Sequence, residues 1–251
     1  MGFLHQGHLA LIREARKRSD IAAMSIFVNP LQFGASADLS RYPRDLAGDL
    51  SKAESAGATI AFVPSEADLY PAGFQTEVTL TQVTQRLEGV SRPTHFKGVA
   101  TVVLKLLLLA QAEVAVFGEK DYQQLLLVKQ LARDLCLPTA IVGLPTVREA
   151  DGLAMSSRNK YLEGPQRQSA LVLKRSLDAI AAAVRRGERS REALIAIGRE
   201  LVASEARVDY VEVADAQTLE PHANVAPQSR ALVAAFVGAT RLIDNTPLEA
   251  S

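Results

Sequence analysis

The residues best suited to chemistry lie in a few short stretches. Met1-Gly2-Phe3-Leu4-His5-Gln6-Gly7-His8 places two imidazoles around a glycine, just ahead of a segment with helical spacing. A helix N-terminus offers unpaired N–H groups and the positive end of its dipole, so phosphate is welcome there. Gly7 lacks the Cβ that would keep that phosphate away. Far downstream, Met155-Ser156-Ser157-Arg158-Asn159 supplies hydroxyls and a guanidinium suited to a second part of a polyphosphate. Between them stand Asn29-Pro30-Leu31-Gln32 and Gly118-Glu119-Lys120-Asp121-Tyr122-Gln123-Gln124, an ammonium among neutral amides. The combination suggests an enzyme that works on a nucleoside triphosphate. No histidine, cysteine or carboxylate spacing matches a protein-built metal site.

Each stretch also has a plainer reading. His5 and His8 alone suit a helix cap or a surface. Asp121 can cap a helix, with Lys120 merely solvated. Ser156 and Ser157 favour turns, and Gln32 and Gln124 can be consumed in satisfying backbone groups. His95, in Arg92-Pro93-Thr94-His95-Phe96, fits a structural turn as well as it fits a site.

The elements that must position these groups follow from periodicity. Leu9, Ile12 and Ala15 recur at helical spacing, and Arg16-Lys17-Arg18 closes that helix at its negative end. Residues 21–28 read as an apolar strand of the kind buried on both faces of a parallel sheet, ending at Asn29-Pro30. Helices near 46–56, 97–110 and 121–135 alternate with strands at 58–63, 114–117 and 139–142. That alternation predicts a doubly wound, Rossmann-like α/β sheet, whose ligands sit beyond the carboxyl ends of the strands. His5 and His8 would follow a first strand that this sequence does not contain. Past Arg148 the rhythm changes to two helices over 166–203 and strands at 208–213, 231–237 and 240–244, a smaller α+β domain. The expected division is 1–147 and 148–251.

Bulk composition narrows the partners. Lys+Arg and Asp+Glu both number 28, so the formal charge is zero and a general nucleic-acid face is not expected. The most hydrophobic stretch, Val102 to Ala110, is interrupted by Lys105 and falls far short of the ~20 residues that span a bilayer. The single cysteine, Cys136, closes a helix, cannot form an internal disulfide, and fits a reducing cytoplasm.

Taken in order, these blocks resemble the pantoate–β-alanine ligase family of the His-x-Gly-His nucleotidyltransferases, along essentially the whole chain. The specific marks are Phe27-Val28-Asn29-Pro30-Leu31-Gln32-Phe33-Gly34, Tyr42-Pro43-Arg44, Phe117-Gly118-Glu119-Lys120-Asp121 and Arg148 through Asn159. The resemblance implies that ATP and pantoate form pantoyl adenylate, which β-alanine then converts to pantothenate. It implies catalytic roles for His5, His8, Lys120, Ser156, Ser157 and Arg158, with His8 as proton donor. ATP would also meet Met1, Gly2, Gly7, Gly118, Glu119, Asp121, Val147 and Met155, the last two flanking adenine. Pantoate would lie on Gln32 and Gln124, with Asn29 in support. Mg²⁺ would arrive on the ATP phosphates. Domain 1–147 would bind nucleotide and pantoate, and domain 148–251 would close over the ATP site. A cytoplasmic homodimer is implied too.

The beginning of the sequence departs from that pattern, because relatives carry the first sheet strand upstream of Met1. Buried backbone groups left unpaired cost of order 1–3 kcal/mol each, comparable in sum to a domain's whole stability. One expectation is therefore a truncated remnant that is inactive or only binds nucleotide. Another is a different adenylyl transferase with a phosphorylated acceptor, against which Gln32 and Gln124 speak, since a phosphate favours arginine or lysine.

Overall fold

The computed structural model describes residues 2–33, 39 and 42–249. Met1, assigned above to the nucleotide, and Gly34 of the asparagine block lie outside the described residues. The chain divides into two compact units, Met1–Glu119 with Gln123–Thr146, and Lys120–Tyr122 with Val147–Ser251.

In the first unit the elements run α1 (Gln6–Arg18), β1 (Ala23–Ser25), α2 (Pro30–Phe33), α3 (Leu46–Ser55), β2 (Ile60–Phe62), α4 (Glu66–Leu69), α5 (Glu88–Ser91), α6 (His95–Ala110), β3 (Val114–Gly118), a 3-10 turn (Glu119–Asp121) leading into α7 (Tyr122–Asp134), and β4 (Ala140–Leu144). β1 pairs in parallel with β2, from Ala23↔Ile60 to Ser25↔Phe62. β3 pairs in parallel with β4, from Val114↔Ala140 to Gly118↔Leu144. Parallel strands alternating with helices agree with the fold class read from the sequence.

The strand expected to be buried on both faces is not: in β1 Ala23 is exposed and Met24 and Ser25 are half-buried. All three residues of β2 are exposed, and Ile60 keeps 51% of its surface. No residue of β3 is fully buried. The reason lies in the ladders: no hydrogen bonds join β1 to β3 among the described residues, so each pair ends in unpaired edges. The helices nevertheless span both pairs. α1 packs Leu9 and Ile12 with Met24 of β1 and also lies against β3. The α6 core of Phe96, Val99 and Val103 takes in Phe27 after β1, Ala115 and Phe117 of β3, and Ile141 of β4.

The second unit contains α8 (Pro165–Ser169), α9 (Val172–Arg185), α10 (Arg191–Ala203) and three long strands, β5 (Arg207–Asp215), β6 (Ser229–Val237) and β7 (Thr240–Leu248). The strands form an antiparallel sheet in the order β5-β6-β7. Alternate residues of β6, Ala231, Val233, Ala235 and Val237, join Leu173, Leu177 and Ile180 of α9 in one core. That is the period of two meeting the helical period across a helix–sheet interface. Burying each such Leu or Ile contributes about 1.5–3 kcal/mol, so this core is the main support of the unit.

Candidate active site

The two histidines are set by the start of α1. His5, in an extended conformation, caps the helix, and its Nδ1 accepts the Gly7 N–H at 3.2 Å. His8 reciprocates, its Nδ1 accepting the His5 N–H at 3.3 Å. With both Nδ1 atoms accepting, each neutral ring carries its proton on Nε2. The rings stand 4.0 Å apart, tilted by 36°. The first turn of α1 holds no acidic residue, and Arg16, Lys17 and Arg18 occupy the last. The cap reading and the phosphate reading are compatible, since capping uses Nδ1 and puts the ring proton on Nε2.

What aims this turn is a residue that the motifs do not reveal. Asp49, buried in α3, accepts the N–H of Phe3 through one oxygen and that of Leu4 through the other, both at 2.6 Å. Phe3 has φ +58, a left-handed conformation that a side chain rarely adopts. Lys52 adds a bond to the Leu4 carbonyl at 3.3 Å. A carboxylate in the first turn of its own helix and a lysine one turn later thus clamp the approach to His5.

The asparagine block forms a second cluster in the same unit. Asn29 is buried, and its Nδ2 donates to the Gly98 carbonyl and to Gln32 Oε1, each at 3.1 Å. His95 Nδ1 meets the Gln32 carbonyl at 3.0 Å, while Arg92 donates to His95 Nε2 at 3.4 Å. Guanidinium is only a donor, so His95 must carry its proton on Nδ1. His95 is thus a support for Gln32. Gly98 lets α2 pass close: a Cβ there would stand 2.4 Å from the Leu31 carbonyl carbon and 2.5 Å from the Gln32 nitrogen.

Two adjacent glutamines on α7 behave oppositely. Gln123 is buried; it accepts from the Glu88 N–H and donates to the carbonyls of Val83 and Arg86. Gln124 is half-buried, and its side chain makes no hydrogen bond among the described residues. The plainer reading, an amide spent on backbone groups, describes Gln123 and neither Gln32 nor Gln124.

Gly118 closes β3 and Glu119 opens the 3-10 turn, both in the first unit, and the other candidates belong to the second. Lys120, at the 3-10 turn, lies 3.6 Å from the Asp121 carboxylate. Its carbonyl accepts from Asn245 Nδ2 at 3.0 Å. The neighbouring Tyr122 donates to the Ala216 carbonyl at 2.8 Å and lies under the Arg230 guanidinium, 3.6 Å from its ring centre. Residues 147–155 form a hairpin whose tip is Gly152 at φ +94, and Met155 N–H donates to the Val147 carbonyl at 3.0 Å. Arg148 anchors it through a bidentate pair with buried Asp244, at 2.6 and 3.0 Å. Ser156 Oγ then accepts the Arg158 N–H at 3.2 Å, opening the turn that carries Ser157 and Arg158. Asn159 ties that turn back, donating to Glu149 Oε1 at 2.6 Å and to the Ala154 carbonyl at 3.1 Å.

Comparison with known proteins gives the family of the whole chain. The family model for pantoate-beta-alanine ligase matches residues 1–247. The chain belongs to the pantoate–β-alanine ligase family. A pantothenate synthetase of Myxococcus xanthus is 59% identical over 252 residues, covering 99% of this chain and 86% of the relative. The crystal structure of pantothenate synthetase from Thermus thermophilus superposes with a TM-score of 0.96 at 45% identity, covering 99% of this chain and 91% of that one. A Francisella tularensis pantoate-beta-alanine ligase, solved with beta-gamma ATP and beta-alanine, gives 0.77 at 35% identity, covering 98% and 87%. This member of the family is an enzyme, a ligase that joins pantoate to β-alanine.

Within the first unit the structure brings His5 to His8 and Asn29 to Gln32. No hydrogen bond links Gln124 to either pair among the described residues. Within the second, adjacent residues of β7 hold Lys120 and the hairpin that leads to Ser156. The supports Asp49, His95, Asp244 and Asn245 lie outside the reacting motifs. Only His95 had a sequence signal, through the Arg-Pro-Thr-His block; Asp49 reads in sequence as an ordinary helix-face carboxylate. Among the described residues no group of three histidine, cysteine or carboxylate side chains is arranged to hold a metal ion. No helix there is long and apolar enough to cross a membrane.

Proposed function

We propose that the chain joins its substrates in two steps through pantoyl adenylate. The pantoate carboxylate attacks the α-phosphorus of ATP, the bond to the bridging oxygen breaks, and pyrophosphate leaves. The β-alanine amine then attacks the acyl carbon, loses a proton and expels AMP, leaving pantothenate. The observation that carries this reading is the paired imidazoles of His5 and His8 at the start of α1, whose first turn holds no acidic residue.

Negative charge grows on the phosphoryl oxygens during the first step, and positioned donors are the strongest lever on it. His8 acts here as a hydrogen-bond donor. Its only ring proton is on Nε2, and giving that proton away would leave an imidazolate. His5, Lys120, Ser156, Ser157 and Arg158 share the phosphate charge, with Met1, Gly2 and Gly7 as further ATP-binding residues. Gly118 to Asp121 cover the ribose, Asp121 accepting from a hydroxyl. Val147 N–H and the Met155 carbonyl make no mutual bond, so a donor and an acceptor are available for the adenine edge. Mg²⁺ comes with ATP, held by phosphate oxygens and water.

Gln32 and Gln124 hold pantoate, with Asn29 in support. Neutral amides suit a carboxylate that must stay nucleophilic, where an arginine clamp would stabilise the ground state too well. The same family reading makes the enzyme a cytoplasmic homodimer. Pantoate-dependent exchange of labelled pyrophosphate into ATP tests the scheme, because it requires the adenylate but not β-alanine. Exchange that is equally fast without pantoate, or absent while pantoate and β-alanine are still joined, would overturn it.

A further inference from the structure

An amide side chain shows a ligand either its oxygen or its nitrogen, and something must decide which. For Gln32 the decision can be followed through three residues. The Gly98 carbonyl only accepts, so Asn29 must turn Nδ2 towards it at 3.1 Å. The second Nδ2 hydrogen then points at Gln32 Oε1, also at 3.1 Å. Asn29 Oδ1, on the opposite side, receives the Tyr70 hydroxyl at 2.8 Å. With Oε1 engaged, Gln32 is left with Nε2, which makes no hydrogen bond among the described residues.

Tyr70 is itself fixed. It ends the short helix α4, with its N–H on the Glu66 carbonyl at 2.7 Å. Its ring lies between Phe27 and Phe74, 6.2 and 5.1 Å from their centres. Burial, with Glu66 nearby, pushes its hydroxyl up to about 12, so it remains a donor through the neutral range. Asn29 keeps only 3% of its surface exposed, so it has no water with which to replace a lost partner.

We infer that Tyr70 is a positioning residue for the acid substrate: through Asn29 it locks Gln32 in the one amide orientation that presents Nε2–H to a carboxylate or hydroxyl oxygen. The inference rests on the reading of Gln32 as a pantoate contact. It also predicts specificity, because a site built this way rewards acceptors and turns away ligands that present an ammonium or amide N–H.

Tyr70→Phe keeps the ring between Phe27 and Phe74 and removes only the donor. Steady-state kinetics should show KM for pantoate raised about five- to tenfold, the range for one hydrogen bond. KM for ATP should stay within twofold. In a Gln32→Ala background the same substitution should add nothing further, since both changes act on one contact. Asn29→Asp accepts from Tyr70 but has no N–H for Gln32, so Gln32 can turn over; KM for pantoate should rise more steeply. A pantoate KM unmoved by Tyr70→Phe but raised by Gln32→Ala would sink the role of Tyr70 alone. Equal rises for pantoate and ATP, or a full effect persisting without Gln32, would reduce Tyr70 to a packing residue. A pantoate KM indifferent to Gln32→Ala would remove the underlying contact itself.

Discussion

Replacing Asp49 by Asn tests whether the histidine turn is aimed from behind. The substitution keeps shape and volume but leaves one acceptor where two N–H groups now meet two oxygens at 2.6 Å. One bond to a charged acceptor is lost, about 1.5–3 kcal/mol, and the other is weakened to a neutral bond nearer 1 kcal/mol. An amide N–H also faces a backbone N–H. The expected loss is roughly 2–4 kcal/mol, falling on a segment whose Phe3 already sits at φ +58. Left-handed backbone costs about 1–2 kcal/mol for a residue with a Cβ, so the clamp is what holds that conformation. Native-state hydrogen exchange reads this locally: the Phe3 and Leu4 amides should lose protection by about 30- to 1,000-fold. Amides in β6 should be unchanged. Pantoate-dependent pyrophosphate exchange should fall by about tenfold or more, because a displaced His5 no longer meets the phosphate. Unaltered protection at Phe3 and Leu4 with full exchange activity would refute the argument.

Other outcomes follow from the same structure. Lys120→Ala and His8→Ala should each slow adenylate formation by about 10²–10³ in single-turnover assays, the cost of one donor in the transition state; near-normal rates would take them off the catalytic list. Gly98→Ala puts a Cβ against the Leu31 and Gln32 backbone, so α2 must shift, at about 1–3 kcal/mol. Pantoate affinity by calorimetry should drop while ATP affinity holds, and equal affinities for both would contradict the close packing. The Arg167 hydrogen bond holds the Asp151 carboxyl below its ordinary 3.8. A depressed folded value means that this contribution is present above about pH 4 and fades as pH falls through the lower folded value. Thermal midpoints measured from about pH 7 down to about pH 3 should therefore fall less steeply in Arg167→Met, and parallel curves would show that the pair is not responsible.

Sequence showed the candidate groups and little of what holds them. The His-x-Gly-His spacing, the Asn-Pro-Leu-Gln block and the Ser-Ser-Arg turn could be read because local backbone geometry constrains each. The order of helices and strands also showed the parallel α/β half and the α+β half that follows it. The apolar run at 21–28 predicts a strand buried on both faces and overstates it, because an apolar run records what a strand is made of and not whether its edges are paired. Ile21 has the composition of an interior residue and keeps 64% of its surface exposed. Asp49 could not be found, since its meaning depends on Phe3 and Leu4, some 45 residues away. Gln123 and Gln124 are chemically identical neighbours, and only the fold shows that the first is consumed by backbone groups.

Asp244 and Asn245 stand next to each other on β7, opposite Val233 and Leu232 of β6. Successive strand residues point to opposite faces, and these two address different segments, the Arg148 hairpin and the Lys120 carbonyl. A one-residue slip in the β6–β7 pairing would exchange their faces, turning the buried carboxylate from its arginine and the amide from its carbonyl. On the proposed roles of Lys120 and Ser156, turnover therefore reports the register of a hairpin far along the chain.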